Sequence, residues 1–202
     1  MAAYRFQKNW FMGFTALAIG LFLGSTAFAA DTYVVDGIHS YVGFSVKHLG
    51  LSQVQGHFTD FGGSIVWDSK NLVKSNFSGT VNATTVTTGQ PMRDKHLKSP
   101  DFFGTDQFPE FAFKSSLVEK TKDGYLISGD LTIRGVKKPV KIPVKIVGPI
   151  TEMQGRVRIG ISGQFTINRQ DWGVSWNRLL DNGGFVVDNM VTIVLEVEGV
   201  KQ

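Results

Sequence analysis

Period-two alternation recurs along nearly the whole chain with short links between the repeats, and it restricts the fold to a curved antiparallel sheet. From Ser40 to His48, Val42, Phe44 and Val46 share one face while Tyr41, Ser45 and Lys47 share the other, the pattern of a strand with one buried side. After a turn at 49–52, Val54-Gln55-Gly56-His57-Phe58 resumes the alternation. The apolar parity then shifts, because Phe61, Gly63, Ile65 and Trp67 are odd-numbered where Val54 and Phe58 are even. A bulge near Thr59-Asp60 restores the facing and bends the sheet toward closure. Phe77, Gly79, Val81 and Ala83 form the next inward face, and Phe111 with Phe113 opens another that runs to about Glu119. Lys122-Asp123-Gly124 and Arg134-Gly135 are tight-turn signals, and Tyr125, Ile127, Gly129, Leu131 and Ile133 alternate between them. Val140, Ile142, Val144 and Ile146 follow, with Pro143 on the other face marking an edge or a bulged position. Ile159, Ile161, Gly163, Phe165 and Ile167 come next. An irregular stretch then holds Trp172, Trp176 and Gly183-Gly184, and Val191, Ile193, Leu195 and Val197 close the chain.

Short links favour antiparallel neighbours, and about eight such strands close into a barrel whose interior holds side chains or one small ligand. The expected fold is therefore all-β, an extended antiparallel eight-stranded barrel. Glycines 56, 63, 79, 129 and 163 fall on the apolar face itself. A filled core would use the volume they leave, which favours an elongated cavity over a solid, strongly bent barrel.

One segment departs from the alternation. Pro91 can open a helix at its first position, and Asp94 and Lys98 are spaced for a helix-surface ion pair. Ser99-Pro100-Asp101 repeats the start signal, and Gly104 ends the second short turn. Phe102, Phe103, Phe108, Phe111 and Phe113 lie within twelve residues, so the segment reads as a helical lid that must pack on something apolar.

The N-terminus sets the domain organisation. Arg5 and Lys8 precede an apolar run from Trp10 to Gly24, and Ala27-Phe28-Ala29 supplies a small-x-small cleavage site. Residues 1–29 read as a secretory signal peptide and 30–202 as one barrel domain, exported to a bacterial periplasm. The chain has no cysteine, which excludes a lipid-anchored lipoprotein and any disulfide. Two of the 21 basic residues fall in the leader, leaving 19 against 17 acidic ones, or +2, too small a balance to indicate nucleic acid. Lys137, Lys138 and Lys141 form the one basic cluster, and guarding a sheet edge accounts for it.

The chemistry-bearing residues are sparse. His39, His48, His57 and His96 lack the local spacing of a zinc site; His48 and His57 could meet across a hairpin, without a carboxylate or cysteine to complete a set. Asp36, His39 and Ser40 contain the residue types of a hydrolase triad, but neighbours on a strand point to opposite faces and no G-x-S-x-G elbow is present. Arg93 and His96 share a helix face; they either greet a polar or anionic head group at a cavity mouth or pin the helix over the barrel end.

Three blocks carry a resemblance to a known family. These are Asp36-Gly37-Ile38-His39-Ser40 through Phe44 with His48-Leu49-Gly50, Gly56-x-Phe58 and Phe61-x-Gly63; Arg93-Asp94-x-His96-Leu97-x-Ser99-x-Asp101-Phe102-Phe103 with Phe108-Pro109; and Gly129-x-Leu131-Thr132-Ile133-x-Gly135-Val136-x-Lys138-Pro139-Val140. Together they resemble the YceI-type polyisoprenoid-binding family of secreted bacterial proteins across the mature chain. Gly104 and Asn189 depart from the pattern, standing where acidic residues are expected.

The resemblance implies an extended lipocalin-like barrel holding a long isoprenoid or similar amphiphile, either an isoprenoid quinone or an undecaprenyl-type carrier. It carries over no catalytic residue. The ligand-contact candidates are then the inward residues Val42, Phe44, Val46, Phe58, Phe61, Ile65, Phe77 and Val81, the lid-side Phe103, Phe108, Phe111 and Phe113, and Leu131, Ile133, Phe165, Ile167, Trp172, Trp176, Val191 and Ile193. Arg93 and His96 are the head-group candidates. The leading expectation is a non-enzymatic binding, transport or sequestration protein with no metal and no cofactor beyond a bound lipid or quinone. The alternatives are an envelope or stress protein acting through protein contacts, and an enzyme working on a bound quinone or lipid with His96 and Arg93. Transient membrane contact and a homodimer stay open.

Overall fold

The structure, a computed structural model, describes residues 1–2, 30–181 and 183–202; apart from its first two residues, the leader read as a signal peptide lies outside the described residues. In chain order the elements are β1 (Asp31–Val35), β2 (Tyr41–His48), β3 (Ser52–Phe58), β4 (Phe61–Trp67), β5 (Asn76–Asn82), β6 (Val86–Thr87), α1 (Pro91–Lys98), β7 (Glu110–Lys120), β8 (Tyr125–Ile133), β9 (Val136–Thr151), β10 (Val157–Asn168) and β11 (Val187–Lys201). Among the described residues no helix is long and apolar enough to cross a membrane.

The strands combine into eight staves. At one end the order β1-β4-β5-β7-β8-β9-β10-β11 returns to β1, which pairs with both β4 and β11 and closes the ring. The other end uses β2, β3 and β6 as continuations of β1, β4 and β5: β2 pairs with β11 and β3, and β3 with β6. The parity shift at Thr59-Asp60 is where a stave changes partners, since β3 faces β2 and β6 while β4 faces β1 and β5. The Thr85 hydroxyl accepts from the amides of both Thr59 and Asp60, at 3.2 Å each, and so satisfies the bend.

Two seams split the far end. Residues 136–143 of β9 pair with β8 alone, because the β9–β10 ladder begins at Val144↔Gly163. Pro139 and Pro143 fall in that half, where a missing N–H can face the free side without breaking the β8 ladder. Lys137 and Lys141 stand exposed on the same edge, as edge protection requires. The edge expected at Pro143 is thus real but covers half the strand. The second seam lies between β6 and β7, and the segment 91–109 occupies it: Gln90 caps α1 through the Arg93 amide at 2.9 Å, and the Ala83 amide donates to the Pro109 carbonyl at 2.8 Å. Asp94 does not pair with Lys98. Its carboxylate accepts from the Thr88 amide (2.8 Å) and the Thr87 hydroxyl (3.2 Å), tying the helix to β6.

The ring end is solid. Tyr33, fully buried, and Ile159 pack there with Ile65, Trp67, Phe77, Val118 and Ile127, and Trp67 meets Tyr125 edge-on at 5.0 Å. On the outer wall beside this plug, the Arg158 guanidinium joins Asp36 (2.7 Å), Glu152 (3.2 Å) and Glu198 (3.2 Å). Arg158 foremost, then His39, hold the Asp36 carboxyl well below its ordinary value of 3.8. A depressed carboxyl contributes stability that is full above its unfolded value and is lost as pH falls through its folded value. The melting temperature should therefore drop steeply below about pH 4, and Asp36→Asn should lower it at neutral pH while flattening the acid limb. A variant as acid-sensitive as the parent would assign the acid limb to other carboxylates.

Candidate ligand-binding cavity

Away from the plug the barrel is hollow, in two chambers. A mouth chamber of about 270 Å³ and a deep chamber of about 200 Å³ share Phe58, Phe111, Ile133 and Ile193 as a common waist. Alternation puts these walls together: residues two apart on each stave face inward, and eight staves bring their apolar faces to one axis. The mouth chamber takes Phe44, Val46, Phe103, Ile167, Trp172, Trp176 and Val191, with Arg93 and His96. The deep chamber takes Val42, Phe61, Ile65, Phe77, Val81, Phe113, Leu131 and Phe165.

Phe108 is the exception among the candidates. It packs on the backbone of Gly104 and of Gly135 (φ +72°), where any side chain would collide with its ring, and borders neither chamber. The apolar run around it is real; its partner is the β8–β9 turn.

Most of the inward glycines leave no free volume in the barrel. A Cβ at Gly129 would overlap the Lys114 carbonyl, one at Gly63 the Ser78 carbonyl, and one at Gly56 the Phe44 ring; Gly163 meets the Pro143 carbonyl at 2.9 Å. These glycines permit close approach of neighbouring staves or of a ring. Of the five, Gly79 alone borders a chamber with ordinary clearance, 3.5 Å from the Gly62 carbonyl.

Two flaps roof the mouth. His96 sits edge-on between Phe102 and Trp176, both at 4.9 Å, and its Nε2 lies 2.8 Å from the Asp101 carboxylate. Arg93 is turned back onto Thr88, its Nε donating to the hydroxyl at 2.7 Å and its Nη2 to the carbonyl at 3.1 Å. Arg134, at φ +49° in the β8–β9 turn, donates to the Phe102 carbonyl (3.1 Å) of one flap and the Gly173 carbonyl (2.8 Å) of the other. The Trp172 indole N–H donates to the Leu131 carbonyl at 3.1 Å and spans the β9–β10 seam.

Sequence reasoning missed several mouth residues: Val54, Leu97, Phe102, Val174 and Arg169. Arg169 had a usable signal, since it continues the inward parity of Phe165 and Ile167. It is 6% exposed, and burial pushes its pKa down. Its guanidinium donates to the Val174 carbonyl (2.7 Å), the Asp188 carbonyl (3.0 Å) and the Asn189 amide oxygen (3.2 Å).

The triad and metal constellations resolve differently. Asp36 and His39 are bonded at 2.8 Å, but the Ser40 hydroxyl accepts from the Glu198 amide at 2.9 Å instead of facing the imidazole. Asp36, His39 and Glu198 converge closely enough for a cation, yet the Arg158 guanidinium already occupies both carboxylates. His48 and His57 do not pair: His48 lies opposite Ser52 and His57 opposite Gly43.

Fold and cavity together define a lipocalin-like β-barrel, plugged at one end and hollow, apolar and roofed at the other. Residues 33–199 match the YceI-like domain, and the chain belongs to that family. A UPF0312 protein of Pseudomonas aeruginosa is 38% identical over 93% of this chain and 96% of its own length. Protein YceI of Escherichia coli is 36% identical over 97% of this chain and 100% of its own. Among solved structures, the Campylobacter jejuni YCEI protein aligns at TM-score 0.67 and 27% identity, over 77% of this chain and 90% of that one. Burkholderia cenocepacia BcnA shares the fold at TM-score 0.71 and 22% identity, over 81% and 98%. A polyisoprenoid binding domain from Saccharophagus degradans shares it at TM-score 0.60 and 13% identity, over 84% and 98%.

Proposed function

We propose that the protein binds a long-chain isoprenoid lipid, a polyprenyl compound or an isoprenoid quinone, and carries or sequesters it in the periplasm without chemical conversion. The observation that carries this reading is the continuous apolar wall from the mouth to the plug, formed by aromatic and branched side chains in two chambers joined at one waist. Each buried methylene contributes roughly 0.8 kcal/mol, so a few isoprene units reach micromolar affinity after the ordering cost. The polyisoprenoid binding described for the Saccharophagus degradans domain of the same fold supports this class of ligand. Leu51, Leu179 and Phe185 stand exposed on the loops beside the mouth, an apolar rim suited to brief contact with a bilayer during transfer. The apolar leader at residues 10–24 supports export.

The test is native mass spectrometry of protein isolated from its own periplasm, followed by organic extraction. A stoichiometric polyprenyl or quinone adduct is expected. Empty protein that also takes up no isoprenoid in vitro would refute the reading and favour an envelope protein acting through protein contacts. Gly79→Leu offers a milder check, since Gly79 borders the deep chamber and a Cβ there meets only the Gly62 carbonyl, at an ordinary contact distance of 3.5 Å. It should weaken uptake of a long isoprenoid about tenfold with an unchanged melting temperature; unchanged uptake would place the ligand elsewhere.

A further inference from the structure

We propose that the outer rim of the mouth is a docking surface for an anionic phospholipid bilayer, seated so that the cavity opens directly onto lipid. The docking takes its purpose from the isoprenoid reading above and commits the rim to one kind of membrane. Three segments build that rim. Backbone joins the β2–β3 turn to the loop before β11: the Leu49 amide donates to the Val186 carbonyl at 2.9 Å, the Val186 amide donates to the Arg178 carbonyl at 3.0 Å, and Leu179 bridges to Phe185. Helix α1 is the third segment, since Arg93, His96 and Leu97 border the same chamber as His48 and Val186. Each segment holds an apolar side chain out to solvent: Leu51 is 85% exposed, Met92 80% and Leu179 69%.

Charge decides what this surface meets. Residues 47–51, 92–98 and 178–185 hold five lysines and arginines (Lys47, Arg93, Lys95, Lys98 and Arg178) against two aspartates, Asp94 and Asp181. That excess of three is larger than the +2 of residues 30–202 as a whole, so the rest of the barrel is slightly acidic and positive charge collects at the mouth. The Asp94 carboxylate is moreover turned toward β6, accepting from Thr87 and Thr88. Exposed hydrocarbon flanked by cations suits a bilayer interface, where the apolar side chains enter the head-group boundary and the cations meet anionic phosphates. A second copy of this chain docked through the same rim would set these cations against one another. A long isoprenoid resides in a bilayer, and docking here lets its chain pass into the mouth chamber without crossing water.

The test is co-sedimentation of protein purified from the periplasm with two kinds of vesicle, pure phosphatidylcholine and an equal mixture of phosphatidylcholine and phosphatidylglycerol. The parent should bind the mixed vesicles at least about tenfold more tightly, with the advantage falling as salt rises. Lys95→Glu with Arg178→Glu should reduce that advantage to about twofold or less. Leu51→Ser with Leu179→Ser should weaken binding to the mixed vesicles about tenfold. Both double variants should keep the parent's melting temperature and its uptake of geranylgeraniol from solution, since all four side chains are exposed on the rim. A parent that takes up geranylgeraniol yet binds neither vesicle, or binds the two alike, would overturn the docking and leave the isoprenoid reading intact. In that case a dimer dissociated by the leucine variant would assign the rim to a second copy. A parent that prefers the mixed vesicles but takes up no isoprenoid would uphold the docking surface and overturn the reading above.

Discussion

Ile193→Trp should reduce the affinity for geranylgeraniol by about 100-fold while changing that for geraniol by less than about threefold. Ile193 is one of the four side chains bordering both chambers, and it is half-buried at the register position between Phe165 and Phe44. An indole there extends along the axis and closes the passage. The longer chain then loses the deep chamber and the burial of several methylenes at roughly 0.8 kcal/mol each, more than enough for the expected 2.7 kcal/mol or so. The shorter chain fits in the mouth chamber alone. Overpacking costs roughly 1–3 kcal/mol, a loss the barrel can tolerate because the ring extends into void. Fluorescence titration with both alcohols, beside a melting curve, measures the effect. Equal losses for the two chains would show that the waist is not on the route of the tail.

Arg169→Ala is expected to cost roughly 3 kcal/mol of stability, read by calorimetry as a fall of roughly 6–12 °C in Tm for a domain of this size. The substitution strands the Val174 and Asp188 carbonyls and the Asn189 amide, which one guanidinium now gathers from the loop after β10 and the start of β11. Relief of a buried charge offsets part of the loss, so the total stays below the sum of three charge-assisted hydrogen bonds. Arg169→Lys should recover little, because a single ammonium cannot span acceptors placed for a planar fork. Arg93→Ala, at an exposed position where the side chain hydrogen-bonds to Thr88, should change Tm by no more than about 2 °C. Similar losses for Arg169 and Arg93 would remove Arg169 from its place as the post that holds the mouth.

Most of the barrel was readable because its physics is local. Inward parity needs only the pleat, so Val42, Phe44 and Phe58 or Leu131 and Ile133 could be assigned to one wall without knowing which staves adjoin. The parity break at Thr59-Asp60 even marked a change of partner, although it read as a bulge. What stayed hidden depends on distant pairings. Whether Gly129 faces a void or a neighbouring carbonyl is decided by Lys114 on the adjoining stave, and sequence spacing carries no trace of that. Phe108 was assigned inward by its aromatic neighbours, when Gly135, in a turn 27 residues later, supplies its seat. Arg169 was overlooked because a charged residue on an apolar parity looks like the end of a strand, and only its three neutral acceptors, one of them 20 residues away, show why it is inside.

The seams give the cavity unequal tolerances. Neither the β9–β10 seam near the mouth nor the β6–β7 seam carries a ladder hydrogen bond; the first is bridged by the Trp172 indole and the Arg134 clip, the second by the 91–109 segment through single bonds such as Ala83 to Pro109, so fewer hydrogen bonds resist parting there than at the plug. At the plug every stave is laced to two neighbours, and Tyr33 and Ile159 stop the axis. A guest's girth is therefore negotiable and its depth of entry is not: branched or bulky chains are admitted at the top, while anything longer than the distance to the plug must leave its surplus outside.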